Sequence, residues 1–206
     1  MTEAGPREID FKCARHPSVE TTLRCGRCET PICPRCLVHT PVGARCPDCG
    51  QSGPDPIRPD SSWEPAWDRI RRSRAPIGGL LMDQSVLAGV GNVYRAELLF
   101  RHRMHPLRPG NTLRVGQFRA MWDDLVALMA EGVRSGRIDT VRPEHTPEAM
   151  GRPPRVDDHG GEVYVYRRTG QPCHVCGSTV RTEVLLGRNL FWCPRCQPRF
   201  RSRAVQ

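Results

Sequence analysis

The apolar residues of this chain change their period at recognisable points, and those changes divide it. From Val115 to Arg134, Phe118, Met121, Trp122, Leu125, Leu128, Met129 and Val133 recur at steps of three and four. That spacing predicts a long amphipathic helix with these side chains on its buried face. Upstream, Trp67 and Ile70 with Arg71, Arg72 and Arg74 predict a short helix with a basic face. Pro76 ends it or opens the next, an apolar helix from Ile77 to Gln84. Ala88-Gly-Val-Gly-Asn92 reads as a tight turn whose Asn92 caps a helix from Val93 to Arg101. His105-Pro-Leu-Arg-Pro-Gly110 is a second break. Residues 136–162, rich in proline, glycine and charge, read as an extended loop, and Val163-Tyr-Val-Tyr166 as β-prone. Near the C-terminus, Thr179 to Leu185 and Leu190 to Trp192 are able to form two strands, with Leu186-Gly-Arg-Asn189 as the turn.

The first quarter lacks such periods. Residues 1–10 are polar, residues 11–50 hold seven cysteines, and the proline-rich stretch from Gln51 reads as a linker. With only 38% hydrophobic residues, 19 glycines and 20 prolines, one large core is not expected. The pattern predicts a mainly α chain with small zinc-bound β units: a two-zinc finger over 11–50, a linker over 51–62, a helical domain over 63–155 and a β-hairpin finger over 156–206.

The metal prediction rests on cysteine spacing. Ten of the 11 cysteines form C-x-x-C pairs, and Cys13 forms C-x-x-H with His16. Thiolates two residues apart sit on one tight turn and reach one ion. Cys13, His16, Cys25, Cys28, Cys33, Cys36, Cys46 and Cys49 supply eight ligands, enough for two tetrahedral sites. Only four residues separate Cys28 from Cys33, so alternate pairs are expected to share an ion: Cys13/His16 with Cys33/Cys36, and Cys25/Cys28 with Cys46/Cys49. His39 is a candidate replacement ligand. Cys173, Cys176, Cys193 and Cys196 form a third set, giving three zinc ions in all. Disulfides are the competing use of these thiols. The absence of a signal-peptide pattern and of any apolar run long enough to span a bilayer points to a reducing cytoplasm instead.

Charge then points to a partner. The net charge is +9, and every basic residue but Lys12 is arginine, whose planar fork suits phosphate oxygens. Nucleic acid is the first expectation, although an arginine-rich solvated surface has the same balance. Arg188, in the turn of a zinc-stiffened hairpin, is a candidate phosphate contact.

Gln171-Pro-Cys173-x-x-Cys176-Gly, Gly187-Arg188 and Cys193-Pro-Arg-Cys196-Gln197, preceded by Val165-Tyr166 and Gly170, resemble the C-terminal zinc finger of the formamidopyrimidine-DNA glycosylase/endonuclease VIII family. Ser178, Leu190 and Trp192 depart from its commonest residues and lean toward the endonuclease VIII-like branch. Ser73-Arg-Ala-Pro-Ile77, Leu81-Met-Asp-Gln84, Gly89-Val-Gly-Asn-Val-Tyr94, Glu97-Leu-Leu-Phe100 and His105-Pro106 are similar to its helix–two-turn–helix, in the same order. Residues 13–49 resemble a B-box-type cross-brace finger, a kind that usually mediates protein contacts.

The first resemblance implies base-excision repair chemistry on double-stranded DNA with an abasic or damaged site. Gly91, Asn92 and Arg188 fall at positions that hold the backbone around the lesion. The family's catalytic half is an N-terminal β-sandwich beginning with a proline, and residues 1–62 are not expected to form it. The leading expectation is therefore a binder of damaged DNA, cytoplasmic and associated with the bacterial nucleoid, whose N-terminal fingers engage a protein partner. Two alternatives stand beside it. One is an active glycosylase/abasic-site lyase that uses the Thr2 amine next to Glu3, or a lobe supplied by a partner. The other is a protein-interaction adaptor.

Overall fold

The computed structural model describes residues 11–25, 30–40, 43–51, 61–156 and 161–201. Thr2, Glu3, Cys28 and most of the expected linker lie outside them. The chain divides into two compact units, Met1–Pro56 and Ile57–Gln206.

The N-terminal unit is built of short hairpins. β1 (Phe11–Cys13) pairs antiparallel with β2 (His16–Thr21), and β3 (Val38–Thr40) with β4 (Gly43–Arg45), followed by helix α1 (Pro47–Gln51). Among the described residues its buried hydrophobic side chains are Ile32, Cys13, Cys25, Cys33, Cys36 and Cys46, joined by Thr21 and Arg45. A core made almost wholly of cysteine buries too little apolar area to hold a fold by burial alone.

The C-terminal unit is helical first. α2 (Glu64–Ile70), α3 (Ile77–Leu80), α4 (Asn92–Arg101) and α5 (Val115–Ser135) surround one core that contains Ile70, Ile77, Leu81, Leu98, Phe118, Met121 and Leu125. α5 keeps the predicted span. The Gln117 side chain accepts from the Arg114 N–H at its start, and Gly136 closes it in the left-handed region (φ 69°). Val133, expected on the buried face, is 80% exposed, because the helix outruns the core in its last turn. α3 is shorter than the predicted Ile77–Gln84 helix. Met82 N–H reaches back three residues to Gly79, and Asp83 then takes the Ser85 N–H on its carboxylate. Residues 136–162 are not simply a loop. A 3₁₀ turn (Pro143–His145) and helix α6 (Pro147–Met150) lie within them, the latter capped by Thr146, whose Oγ1 accepts from Ala149 N–H.

A second core joins the helical part to the hairpin β5 (Arg181–Leu185) and β6 (Arg188–Trp192). It contains Ala96 and Phe100 of α4, Val163 to Tyr166, and Val180 and Phe191. α4 faces both cores, which explains why Tyr94 through Phe100 are all buried.

Glu97 makes the join. Its side chain has no exposed surface, and its carboxylate accepts from the backbone N–H groups of Tyr164 (2.6 Å), Val165 (2.9 Å) and Tyr166 (2.9 Å) and from Thr140 Oγ1 (2.7 Å). Val163–Tyr166 is therefore not a strand, despite its β-prone residues: the amides that a neighbouring strand would take are turned onto one carboxylate. At the other end of the helix, Asp124 of α5 accepts from Arg101 through both oxygens and lies 3.0 Å from His102 Nε2. Burial pushes the Asp124 carboxyl upward, but the hydrogen bonds from His102 and Arg101 outweigh it and hold the group well below the usual carboxylate range.

Two outcomes follow for stability. Glu97→Gln puts an amide N–H₂ among donors and orphans at least one buried N–H, so denaturant unfolding is expected to show a loss of about 3 kcal/mol. Asp124→Asn breaks a nearly buried pair, at a similar cost of about 3 kcal/mol near neutral pH. A depressed folded-state pKa stabilises above the unfolded carboxylate value near 4 and loses that effect below it. The gap between wild type and Asp124→Asn should therefore close as pH falls below about 4. A gap independent of pH would remove the ion pair as its cause.

Candidate nucleic-acid interface and metal centres

The C-terminal hairpin turns through two residues. Leu186 (φ 51°) and Gly187 (φ 72°) both adopt the left-handed region, as a type I′ hairpin requires, and Leu185 pairs with Arg188. The expected four-residue turn from Leu186 to Asn189 is thus half as long, and Arg188 is the first residue of β6. Its guanidinium is exposed and makes no hydrogen bond or ion pair among the described residues.

Arg188 stands beside the start of α4. The Asn189 carbonyl accepts from Asn92 Nδ2 (3.1 Å) and from Arg95 Nη2 (2.8 Å), so the hairpin is tied to the first turn of the helix. Asn92 does not cap α4, as the sequence suggested. Gly91 holds the cap position, and Asn92 is the first helical residue, its Oδ1 accepting from Arg95. Its amide is a strut across the interface, with one Nδ2 hydrogen still unused.

Arg95 was not singled out from the sequence. It is 1% exposed, yet no carboxylate among the described residues pairs with it. Its other partner is the Gly78 carbonyl (3.3 Å), and its buried Nε has none. Burial, and then the nearby Arg188 charge, lower its pKa to about 10. The one sequence signal for it is its place three residues beyond Asn92, on the same helical face.

Gly91 adds a different kind of observation. Its φ is −96°, which any residue adopts, and a Cβ built there meets nothing within 4 Å. Among the described residues nothing requires glycine at this position. An open backbone at a helix N-terminus, flanked by two guanidinium groups, suits the close approach of an anion.

The cysteines gather into sets. His16 Nδ1 lies 3.8, 3.4 and 3.2 Å from the Sγ atoms of Cys13, Cys33 and Cys36. Cys25, Cys46 and Cys49 form a second group, whose expected fourth member, Cys28, lies outside the described residues. His39 sits exposed in β3 and belongs to neither group. In the C-terminal unit, Cys173 and Cys196 are 3.9 Å apart, and Cys176 and Cys193 are 3.4 Å apart. A disulfide bond is about 2 Å long. Tetrahedral zinc, with Zn–S near 2.3 Å and Zn–N near 2.0 Å, separates its ligand atoms by roughly 3.5–3.8 Å. The donor sets fit the ion. Gln197, fully buried, links the C-terminal set to the helices: its Oε1 accepts from Cys193 N–H and its Nε2 donates to the Met104 carbonyl.

Comparison with known proteins gives this geometry a family. The formamidopyrimidine-DNA glycosylase H2TH domain matches residues 52–142, and the zinc finger found in FPG and IleRS matches residues 170–199. Endonuclease 8 1 of Mycobacterium tuberculosis (strain H37Rv) is 57% identical over 145 residues, 70% of this chain and 53% of that protein. Formamidopyrimidine-DNA glycosylase of Synechococcus is 35% identical over 146 residues, 71% of this chain and 50% of that one. Among solved structures, Lactococcus lactis Fpg in complex with DNA containing an abasic site superposes with a TM-score of 0.56 at 27% identity, over 71% of this chain and 52% of its own. The chain spans about half the length of the curated relatives it matches. The helix–two-turn–helix and the C-terminal zinc finger of this chain are those of the formamidopyrimidine-DNA glycosylase/endonuclease 8 family.

Proposed function

We propose that this chain binds double-stranded DNA at an abasic or damaged site, gripping a backbone phosphate between the start of α4 and the hairpin. The observation that carries this reading is the group near Gly91: among the described residues, a buried Arg95 has no carboxylate, the Arg188 guanidinium has no partner and no contact requires the glycine. A phosphate there supplies the missing negative charge and accepts the N–H groups of the first helical turn. Asn92 positions Arg95 and Asn189, and directs its remaining N–H at the same anion. These contacts hold the strand without reading base identity. A locally weakened duplex favours binding because unstacking costs least there.

Three structural zinc ions belong to this reading. They are held by Cys13/His16/Cys33/Cys36, by Cys25/Cys28/Cys46/Cys49 in a B-box-like cross-brace, and by Cys173/Cys176/Cys193/Cys196. With four protein ligands each, they stiffen the fold and leave no open position for chemistry. The N-terminal pair forms a protein-binding finger, and the chain works in the cytoplasm at the bacterial nucleoid. Among the described residues no helix is long and apolar enough to cross a membrane. Exhaustive chelation is expected to release three equivalents of zinc and to abolish both DNA binding and the cooperative unfolding transition of each unit. Release of fewer than three equivalents from fully loaded protein refutes that ligand set.

The names of the relatives, an endonuclease 8 and a formamidopyrimidine-DNA glycosylase, favour a second reading, an active glycosylase/abasic-site lyase. Borohydride trapping on DNA with a natural abasic site separates the two, since a covalent adduct requires an amine that forms a Schiff base.

The direct test is binding to a duplex with one abasic-site analogue against an intact duplex, at about 150 mM salt. Preference for the abasic duplex is expected, together with a steep decline in affinity with salt. Arg188→Ala should weaken binding about tenfold, the loss of one charge-assisted contact. Gly91→Ala discriminates most sharply: stability should stay within about 0.5 kcal/mol of wild type while DNA affinity falls. Equal affinity for both duplexes, or Gly91→Ala and Arg188→Ala variants that bind like wild type, would end this reading.

A further inference from the structure

The far end of α4 holds a second cationic site. The helix is ten residues long, which places this end about 15 Å from Asn92 along the axis. A cavity of about 120 Å³ opens there; its lining includes Arg101, Arg103, Arg142, His145 and Tyr164, with the Cys196 thiol, a zinc-ligand candidate, on the hairpin side. A single water needs only about 10–15 Å³ of such space, so one tetrahedral oxyanion fits.

The arginines divide by their partners. Arg101 is fully engaged, donating to Asp124 and to the Thr140 carbonyl. The Arg103 and Arg142 guanidinium groups make no hydrogen bond or ion pair among the described residues. Of the acidic groups beside the cavity, Asp124 is taken up by Arg101 and His102, and Glu144 lies 3.9 Å from His145 Nδ1. The Tyr164 hydroxyl lies 3.0 Å from His145 Nδ1 and accepts from Arg142 N–H, which fixes the wall that carries Arg142.

The backbone at Arg103 supplies an independent observation. α4 ends in a Schellman motif, with Arg103 N–H donating to the Phe100 carbonyl and Met104 N–H to the Leu99 carbonyl. The position between them adopts the left-handed region, where glycine has no Cβ to clash. Here it is Arg103, at φ 52°. No described contact of its side chain repays that conformation, and the side chain lines the cavity. Arg103 thus keeps a position that favours glycine, while its side chain lines the cavity without a described partner.

We propose that this cavity is a phosphate site, distinct from the one at the start of α4, with Arg103 and Arg142 as its ligands. Two free guanidinium forks offer more donors than a single carboxylate accepts, whereas a phosphate, with three or four oxygens, takes both. The phosphate is free inorganic phosphate, that of a mononucleotide, or that of a DNA backbone passing this end of the helix.

Titration calorimetry of the full, zinc-loaded chain with inorganic phosphate, at constant ionic strength in chloride, tests the site. Saturable binding is expected. Arg103→Gly should weaken it at least tenfold while raising the melting temperature, because glycine relieves the left-handed position. Arg142→Ala should weaken it to a similar degree, and the Arg103-dependent binding should persist in an Arg188→Ala background, where any binding at the start of α4 is removed. A purely structural Arg103 would give the opposite split, with lower stability and no change in binding. Competition by dAMP or by an intact duplex identifies the source of the phosphate, and displacement by either supports the site. Absence of saturable binding overturns the proposal. So does binding that Arg188→Ala abolishes and Arg103→Gly spares, because the anion then sits at the start of α4. That last result leaves the DNA reading intact, and the two proposals can fail separately.

Discussion

The carboxylate of Glu97 reaches no solvent, yet four donors close on it, and three of them are consecutive backbone amides. In a strand, successive amides point to opposite sides, so no single group can take three in a row. Residues 164–166 give up strand geometry to meet this one acceptor. Because the acceptor stands in the middle of α4, the chain arrives at the zinc hairpin already fixed to the helix. Thr140, bound to the same carboxylate, fixes the return from α5. Remove the carboxylate and the two cores of the C-terminal unit lose the polar link between them. The position of Arg188 against the start of α4 depends on that link.

Much of this was legible in the residues, where the signal was local or periodic. The α5 span followed from seven apolar positions, and the hairpin from two short β-prone runs between cysteine pairs. The grouping of the described cysteines, and of His16 with three of them, followed from spacing alone. What the sequence misplaced depends on tertiary partners. Val163–Tyr166 carries strand residues, and its fate was decided by a glutamate 67 to 69 positions away. Asn92 has the chemistry of a cap, but the Asn189 carbonyl and Arg95 claimed its amide instead. Arg95 gave no sign of its importance, because one arginine among so many carries no compositional signal. α6 escaped because four residues span barely one helical turn.

The two units solve the problem of small size differently. In the N-terminal unit cysteine occupies the interior, where the proposed zinc ions would take the place of apolar packing. In the C-terminal unit the thiolates lie beside a real core, and Gln197 carries their geometry to the carbonyl that follows the end of α4. The hairpin is therefore braced at both ends of its reach, by the knuckle at its base and by the Asn189 carbonyl near its tip.

Arg95 is surrounded by carbonyl and amide oxygens, which solvate its charge without neutralising it. A chain shaped by stability alone would set a carboxylate beside it or replace the cation with an apolar side chain. Keeping the charge leaves a buried cation whose Nε has no partner and which no carboxylate among the described residues neutralises. An anion that docks there acts as a missing piece of the interior. The empty protein is then the less finished of its two states, nearer its unfolding threshold than the loaded one, and part of the binding energy returns as added rigidity.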